Sequence, residues 1–474
     1  MTAGRPGRIV FDISSLARWT GPPVGIVRAQ RELALWAREY RPDAAFVFFD
    51  PSIMGYRAVR PRFVDAFITG AASFNGWSLP DPTGRRKRRS AWVPRGAYAL
   101  LQGRRTLLRR LEHLRLTSER AGLRDWADRT QRRLITDRYR LAMINPDGSR
   151  RDFVTADLAL GDPVALGPGD TLVCAGFGWS HGNIDAIAAA KARDGFRLAV
   201  LCYDIIPLQH PEWFKDRDVA DLSRYWRGAF AIADLIVANS HAVRRDVAAC
   251  CHDWGIGGPC VAVSPLGAEP ATLRTAPDAS LPAGLKENGY ALFVSTIEPR
   301  KQHDLLYRVW LRLLAEGVPQ AAAFRLVFVG RPGWMMESFE RTLREDARLG
   351  DSLVVLPRVS DEMLDLIYRR SAFCLYPSLY EGYGLPVVEA FARGKAVLAS
   401  DGGALPEVVN GLSPVVGVGD EDAWLEMMRN WIQRPDARSP FEAAIRERFR
   451  HPSWPQAAAA FFAAVEGAAT PGHA

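Results

Sequence analysis

Residues 374–409 read CLYPSLYEGYGLPVVEAFARGKAVLASDGGALPEVV. A short apolar run leads into a turn that holds Glu381, Gly382 and Gly384, and a second apolar run with Pro386 near its start follows. Proline presets φ and lacks an N–H, so it suits the first turn of a helix. The stretch therefore predicts a strand, a glycine turn and a helix beginning near Leu385. Glycines let the main chain approach a ligand closely, and the N–H groups of Tyr383, Gly384 and Leu385 can face an anion at the helix's positive end. A diphosphate suits that end. Glu389 lies one helical turn beyond Leu385, where its carboxylate can accept hydrogen bonds from the hydroxyls of an attached ribose. Glu381, on the turn itself, points toward whatever the diphosphate carries. Val387, Val388, Ala390 and Phe391 make this helix apolar nearly all round, so Glu389 is expected to be buried and to need a partner.

Three other stretches carry chemistry. FVSTIEPRKQHDLL (293–306) places Arg300 and Lys301 between a strand and a helix. Two adjacent cations there can neutralise a phosphate leaving group, Arg by a forked contact and Lys as a point charge. FDISSLARWTGPPVGIVRAQREL (11–33) offers a strand, a loop with Gly21, Pro22, Pro23 and Gly25, and a helix containing Arg28. CYDIIPLQHPEWF (202–214) sets Asp204 directly after a strand and His210 in the next loop, as acceptor or donor-sugar contacts. Asp204 can equally cap the turn, and His210 can simply stack on Trp213.

Short apolar or β-branched runs alternate with amphipathic stretches, the pattern of a parallel sheet wrapped by helices. Strands are expected near 8–12, 45–49, 171–175, 197–203, 235–239 and 261–264, then near 290–295, 325–330, 353–356, 372–376, 396–400 and 414–418. Residues 1–270 read as a Rossmann-like domain, 271–289 as a linker and 290–452 as a second Rossmann-like domain. Residues 453–474 read as a terminal helix crossing back to the first domain. The fold class is α/β, two parallel sheets facing across a cleft, where ligands lie at the carboxyl ends of strands.

The 474 residues carry a formal charge of +8. The excess is local: residues 81–150 hold 19 Lys and Arg against 7 Asp and Glu. It begins at Gly84-Arg85-Arg86-Lys87-Arg88-Arg89 and continues through Leu100, Leu101, Leu107, Leu108, Leu111 and Leu114 at helical spacing among arginines. Residues 81–120 suit either an anionic membrane surface or a helix packed on its own domain. Nucleic acid is disfavoured, because no reader motif and few aromatics accompany the charge. A hairpin is expected around Pro146-Asp147-Gly148, so the insertion spans about 81–165. No apolar run reaches the roughly 18 residues of a membrane span, and the start lacks an apolar signal-peptide core. The six cysteines form no C-x-x-C pair and read as reduced, mostly buried thiols. The Asp-x-Asp matches at Asp216/Asp218 and Asp420/Asp422 read as helix caps, so no metal ligands are assigned.

Together these stretches resemble the retaining glycosyltransferases of family four, which have the GT-B architecture. The likeness is ordered along the chain: GIVRAQREL, YDIIPLQHPEW, ANSHAVRRDV, VSPLGAE, STIEPRK, VFVGRPGW, VSDEMLDLIYRRSAFCLYPSLYEGYGLPVVEAFARGKAVLAS and PSWPQAAAAFF. The resemblance implies that Arg300 and Lys301 hold the donor diphosphate, Glu381 the sugar hydroxyls and Glu389 the ribose. Gly382, Tyr383, Gly384 and Leu385 would complete the donor site. Gly25 and Arg28 match the N-terminal glycine loop, with Val27 where a second glycine is common. Tyr203 stands where many members have a histidine. The implied enzyme needs no cofactor and moves a hexose, mannose favoured, from GDP-mannose or a UDP-sugar to a glycan or lipid-linked acceptor of a cell-surface polysaccharide. It would be cytoplasmic, peripheral on the inner face of the plasma membrane. A nucleotide-sugar epimerase, a glucan or sucrose synthase and a non-catalytic basic scaffold are the alternatives. Loss of Arg300 or Lys301 is expected to abolish turnover and leave the fold intact.

Overall fold

The computed structural model describes residues 8–21, 25–74, 95–134, 151–268 and 280–467. The first half runs through β1 (Ile9–Asp12), β2 (Ala45–Asp50), β3 (Gly55–Val59), β4 (Ala72–Ser73), β5 (Asp152–Phe153), β6 (Leu160–Pro163), β7 (Thr171–Cys174), β8 (Arg197–Cys202), β9 (Leu235–Ala238) and β10 (Cys260–Val263). Eight of these form one sheet in the order β10-β9-β8-β7-β1-β2-β3-β6, while β4 pairs with β5. The second half contributes β11 (Tyr290–Val294), β12 (Arg325–Val329), β13 (Leu353–Leu356), β14 (Phe373–Tyr376), β15 (Val397–Ser400) and β16 (Val415–Val416). These pair, all in parallel, in the order β13-β12-β11-β14-β15-β16. In both sheets the order reverses beside the first strand, which opens the crevice where α/β folds hold ligands.

Every expected strand is present. The additional ones are β3 and β6, an antiparallel edge on the first sheet, and the short β4/β5 pair. β6 reads LGDP, a composition that signals a loop, yet an edge strand tolerates proline because one side of it needs no ladder bond. The central strands explain their own burial: IVFD, RLAVLC, LIVA and FCLY are apolar on both faces, as sheets covered by helices on both sides require.

The terminal helix Trp454–Gly467 packs on the first sheet, not the second. Its Phe462 ring lies 6.0 Å from Phe11 of β1 and stacks 5.0 Å from Trp36 of the helix Ile26–Tyr40. Truncating such a buried aromatic costs about 3–5 kcal/mol. The leucine-rich stretch forms the helix Arg95–Thr117, which packs against a second helix, Ala121–Leu134. Leu108 and Leu111 are buried in that packing, whereas Leu107 is exposed. The basic run 84–89, the turn at 146–148 and linker residues 269–279 lie outside the described residues. All six cysteines are free, four of them buried. Among the described residues no helix is long and apolar enough to cross a membrane.

Candidate functional site

β14 delivers the chain into the turn at Glu381, and the helix Leu385–Ala392 leaves it. Gly384, the residue before that helix, has φ 114°, a conformation that strains any residue with a Cβ. β11 delivers Arg300 and Lys301 on a 3-10 turn, Pro299–Lys301, ahead of the helix His303–Ala315. β11 and β14 are neighbours in the sheet, so residues distant in sequence meet at their carboxyl ends.

There Glu381 holds both cations. One carboxylate oxygen lies 2.8 Å from Arg300 Nη1, and the other accepts from Lys301 Nζ. Lys301 also donates to the Tyr376 hydroxyl at 3.2 Å, and Arg300 to the Tyr380 carbonyl at 2.9 Å. Glu298 stands 3.0 Å from Arg300 on the other side. Glu298, Lys301 and Glu381 are all buried. Burial by itself would raise the Glu381 pKa, but the charges of Arg300 and Lys301 bring it down to about 2. Burial likewise favours neutral Arg300, yet the carboxylates of Glu381, Glu298 and Asp204 outweigh it and hold the guanidinium charged. Glu381 is thus a buried, paired carboxylate and not a solvated turn residue.

Asp204 follows β8, and its carboxylate accepts from the Ile206 N–H at 3.3 Å, capping the turn. It also faces the cluster: burial raises its pKa while Arg300 opposes the rise. Both readings of this residue thus coexist. His210 stacks on Trp213, with ring centroids 4.1 Å apart and planes 12° apart, and lies 5.7 Å from the Tyr380 ring. Glu389 is partly exposed rather than buried, because it stands where the two domains meet and the first domain covers it only in part. Its carboxylate takes Arg28 Nη1 at 3.0 Å from across the cleft and the Tyr368 hydroxyl at 3.2 Å. Gly25 precedes the helix of Arg28 with φ 54°, so the backbone rather than crowding calls for glycine.

The glycine turn is also where the two domains touch. A Cβ on Gly382 would lie 2.2 Å from the Tyr203 carbonyl and 2.7 Å from Asp204 Cβ. Ser240 donates to the Gly382 carbonyl at 2.8 Å, and Tyr380 donates to Asp246 at 2.8 Å. Glu407 accepts from the N–H groups of His241 and Ala242 at 3.0 and 3.2 Å, in the first turn of the helix His241–Asp253. Tyr383 reaches the Leu266 carbonyl at 3.3 Å. Sequence reasoning missed Glu298, Ser240, Asp246 and Glu407. Glu298 stands two residues before Arg300 beside a proline, where an acid reads as a solvated loop residue; the others are signalled only by the pairing of the domains.

The two Asp-x-Asp matches differ. Asp420 caps the helix Glu421–Gln433 by accepting from the Ala423 N–H at 3.1 Å. Asp216 and Asp218 are not caps: Lys215 holds that position, and the two acids sit inside the first turn of Asp216–Ile232, where carboxylates are stabilised by the positive end of the helix dipole.

Residues 282–448 match the family described as glycosyl transferases group 1. The chain is 30% identical over 259 residues to the serotype-specific mannosyltransferase WbdA of Escherichia coli, covering 51% of this chain and 29% of that one. It is 35% identical over 135 residues to the O-antigen chain mannosyltransferase B of Escherichia coli, covering 28% of this chain and 34% of that one. The chain thus spans about a third of the length of these relatives. Among solved structures, Anabaena HepE in complex with UDP and glucose aligns over 97% of this chain and 100% of its own, with TM-score 0.52 and 14% identity. That likeness concerns the fold. Residues 282–448 are thus similar to glycosyl transferases group 1, within a chain that has the GT-B fold.

Proposed function

We propose that the chain is a retaining, metal-independent hexosyltransferase. It takes a nucleotide diphosphate sugar, GDP-mannose in preference to a UDP-sugar, and transfers the sugar to a glycan or lipid-linked acceptor of a cell-surface polysaccharide. The observation that carries this reading is the cluster of Arg300 with buried Lys301 and Glu381 at adjacent strand ends beneath the cleft. The names of the relatives support mannose.

As the glycosidic bond breaks, the nucleotide diphosphate gains negative charge and the sugar becomes oxocarbenium-like. Arg300 and Lys301 offset the first charge in a site with little water, where each fixed cation acts more strongly than in solution. Before the donor arrives, Glu298 and Glu381 neutralise those cations. The incoming diphosphate replaces Glu381 as their counter-ion and frees its carboxylate for the sugar hydroxyls. Glu389, beside Arg28, is placed for the ribose, and the amides of Gly384 and Leu385 for the phosphates. Asp204 and His210 line the acceptor side.

The test is nucleotide release from GDP-mannose, UDP-glucose, UDP-GlcNAc and GDP-fucose, followed by assignment of the product anomer by NMR. GDP release from GDP-mannose with an α-linked product is expected. Free epimerised sugar, or transfer only to soluble glucan or fructose, would replace this reading, and no release with any donor would favour a non-catalytic role.

A further inference from the structure

The helix pair Arg95–Thr117 and Ala121–Leu134 has two unlike edges. The inner edge is fixed to the first domain. Glu112, fully buried, accepts from the Phe153 N–H at 3.0 Å and from the Gln131 side chain. Arg115 bridges Glu112 at 2.7 Å and Asp152 at 2.6 Å, and Leu116 packs against the core of the domain.

The outer edge is different. Leu107, Arg110 and Leu114, spaced i, i+3, i+7, lie on the side of their helix opposite Glu112 and Leu116. Leu123, Trp126 and Arg133 share a strip of the second helix in the same way. The helices run antiparallel, with Arg104 donating to the Leu134 carbonyl at 2.8 Å and Leu108, Leu111 and Ala127 buried, and Glu112 and Leu116 turn the inner edge to the domain, so both strips turn to the same side, away from it. Leu107 is 44% exposed, Leu123 39% and Trp126 49%. Arg110, Arg129 and Arg133 around them are exposed as well, while Asp128 is taken up by Arg132 at 2.7 Å. Exposed leucine and tryptophan among arginines is costly in water and well matched to one surface, the boundary between anionic headgroups and acyl chains.

We propose that this outward face docks the protein on an anionic lipid bilayer. Leu107, Leu123 and Trp126 enter the headgroup boundary, and Arg110, Arg129 and Arg133 meet lipid phosphates. The strongly basic composition of residues 81–150 supplies the long-range attraction. The inference deepens the transfer reading, since a lipid-linked acceptor lies on such a surface, but docking is measured without turnover.

The full chain is sedimented with vesicles of phosphatidylglycerol in phosphatidylcholine and with pure phosphatidylcholine vesicles, at low and high salt. Binding to the anionic vesicles about tenfold above the neutral ones, weakened by salt, is expected. Leu107→Ser/Leu123→Ser/Trp126→Ser and Arg110→Glu/Arg129→Glu/Arg133→Glu should each reduce it about tenfold, with nucleotide release from the donor and thermal midpoint unchanged. The two variants change different side chains, so a folding defect in one leaves the other to decide. Equal binding to both vesicle types, undiminished binding by a folded variant, no binding, or stronger binding to duplex DNA than to anionic vesicles would overturn the proposal. Nucleotide release by the parent is scored separately: its absence with vesicle binding intact counts against transfer and leaves docking standing.

Discussion

Glu381 and Arg300, 80 residues apart in the chain, form a buried ion pair at 2.8 Å, and the second oxygen of Glu381 engages Lys301. The acid and the two bases are thus one electrostatic unit. Carboxylates alone satisfy its cations, and in the proposed reading an incoming diphosphate would take the place of Glu381.

Replacement of Arg300 follows from this unit. Arg300→Ala removes one counter-charge for Glu381 and the partner of Glu298. Breaking a buried pair from one side costs about 3–5 kcal/mol, so the expectation of an undisturbed fold is revised. Turnover should fall by about 10²–10³. Nucleotide release and thermal unfolding measure the two effects, and near-normal release would remove Arg300 from the chemistry.

Glu389 joins the domains through Arg28 at 3.0 Å. Glu389→Ala should raise the donor KM by about tenfold, the equivalent of one hydrogen bond to a charged group. Arg28→Ala should raise it less, since Tyr368 still orients the carboxylate. Steady-state kinetics of both variants checks this; a donor KM unaffected by Glu389→Ala would sever the glutamate from the nucleotide.

Gly382 packs directly against Tyr203 and Asp204 of the first domain. Gly382→Ala sets a methyl group 2.2 Å from the Tyr203 carbonyl, a backbone atom that cannot swing aside. The domains must part, the Ser240 hydrogen bond is lost, and kcat/KM should drop by about 10² or more, as with a misplacement of about 1 Å. Circular dichroism should stay that of the parent, and scattering should report a larger radius of gyration.

Asp12, at the end of β1, concerns stability. Burial raises its pKa from 3.8 to about 6, against hydrogen bonds from Ser14. The folded state therefore holds the proton more tightly than the unfolded one. Stability is fullest below about pH 4, declines as pH rises to about 6, and stays lower above it, by on the order of 2–3 kcal/mol. Asp12→Asn keeps an acceptor for Ser14 and removes the charge. It should raise the melting temperature at pH 7 and flatten its change between pH 4 and 6, as calorimetry across that range would show.

The strands were legible because fully buried parallel strands are short, uninterrupted apolar runs such as LIVA and FCLY. The edge strands were not, since GYRAV and LGDP carry no such signal. Of the site, Arg300, Lys301, Glu381 and Glu389 were legible from residue type beside a turn. Glu298 was not, because an acid before a proline looks like a solvated loop residue until its burial is known.

What the sequence by itself determined is the local chemistry: where strands end, where glycine permits a tight turn, and which charged residues stand at those ends. These follow from interactions over a few residues, which composition and spacing encode directly. Only the tertiary structure decided the partners. That Glu381 meets both cations, that Arg28 reaches Glu389 across the cleft, and that Leu107 and Trp126 face outward together depends on sheet order, domain closure and helix pairing. Those are set by burial summed over the whole chain, and no single stretch of it carries them.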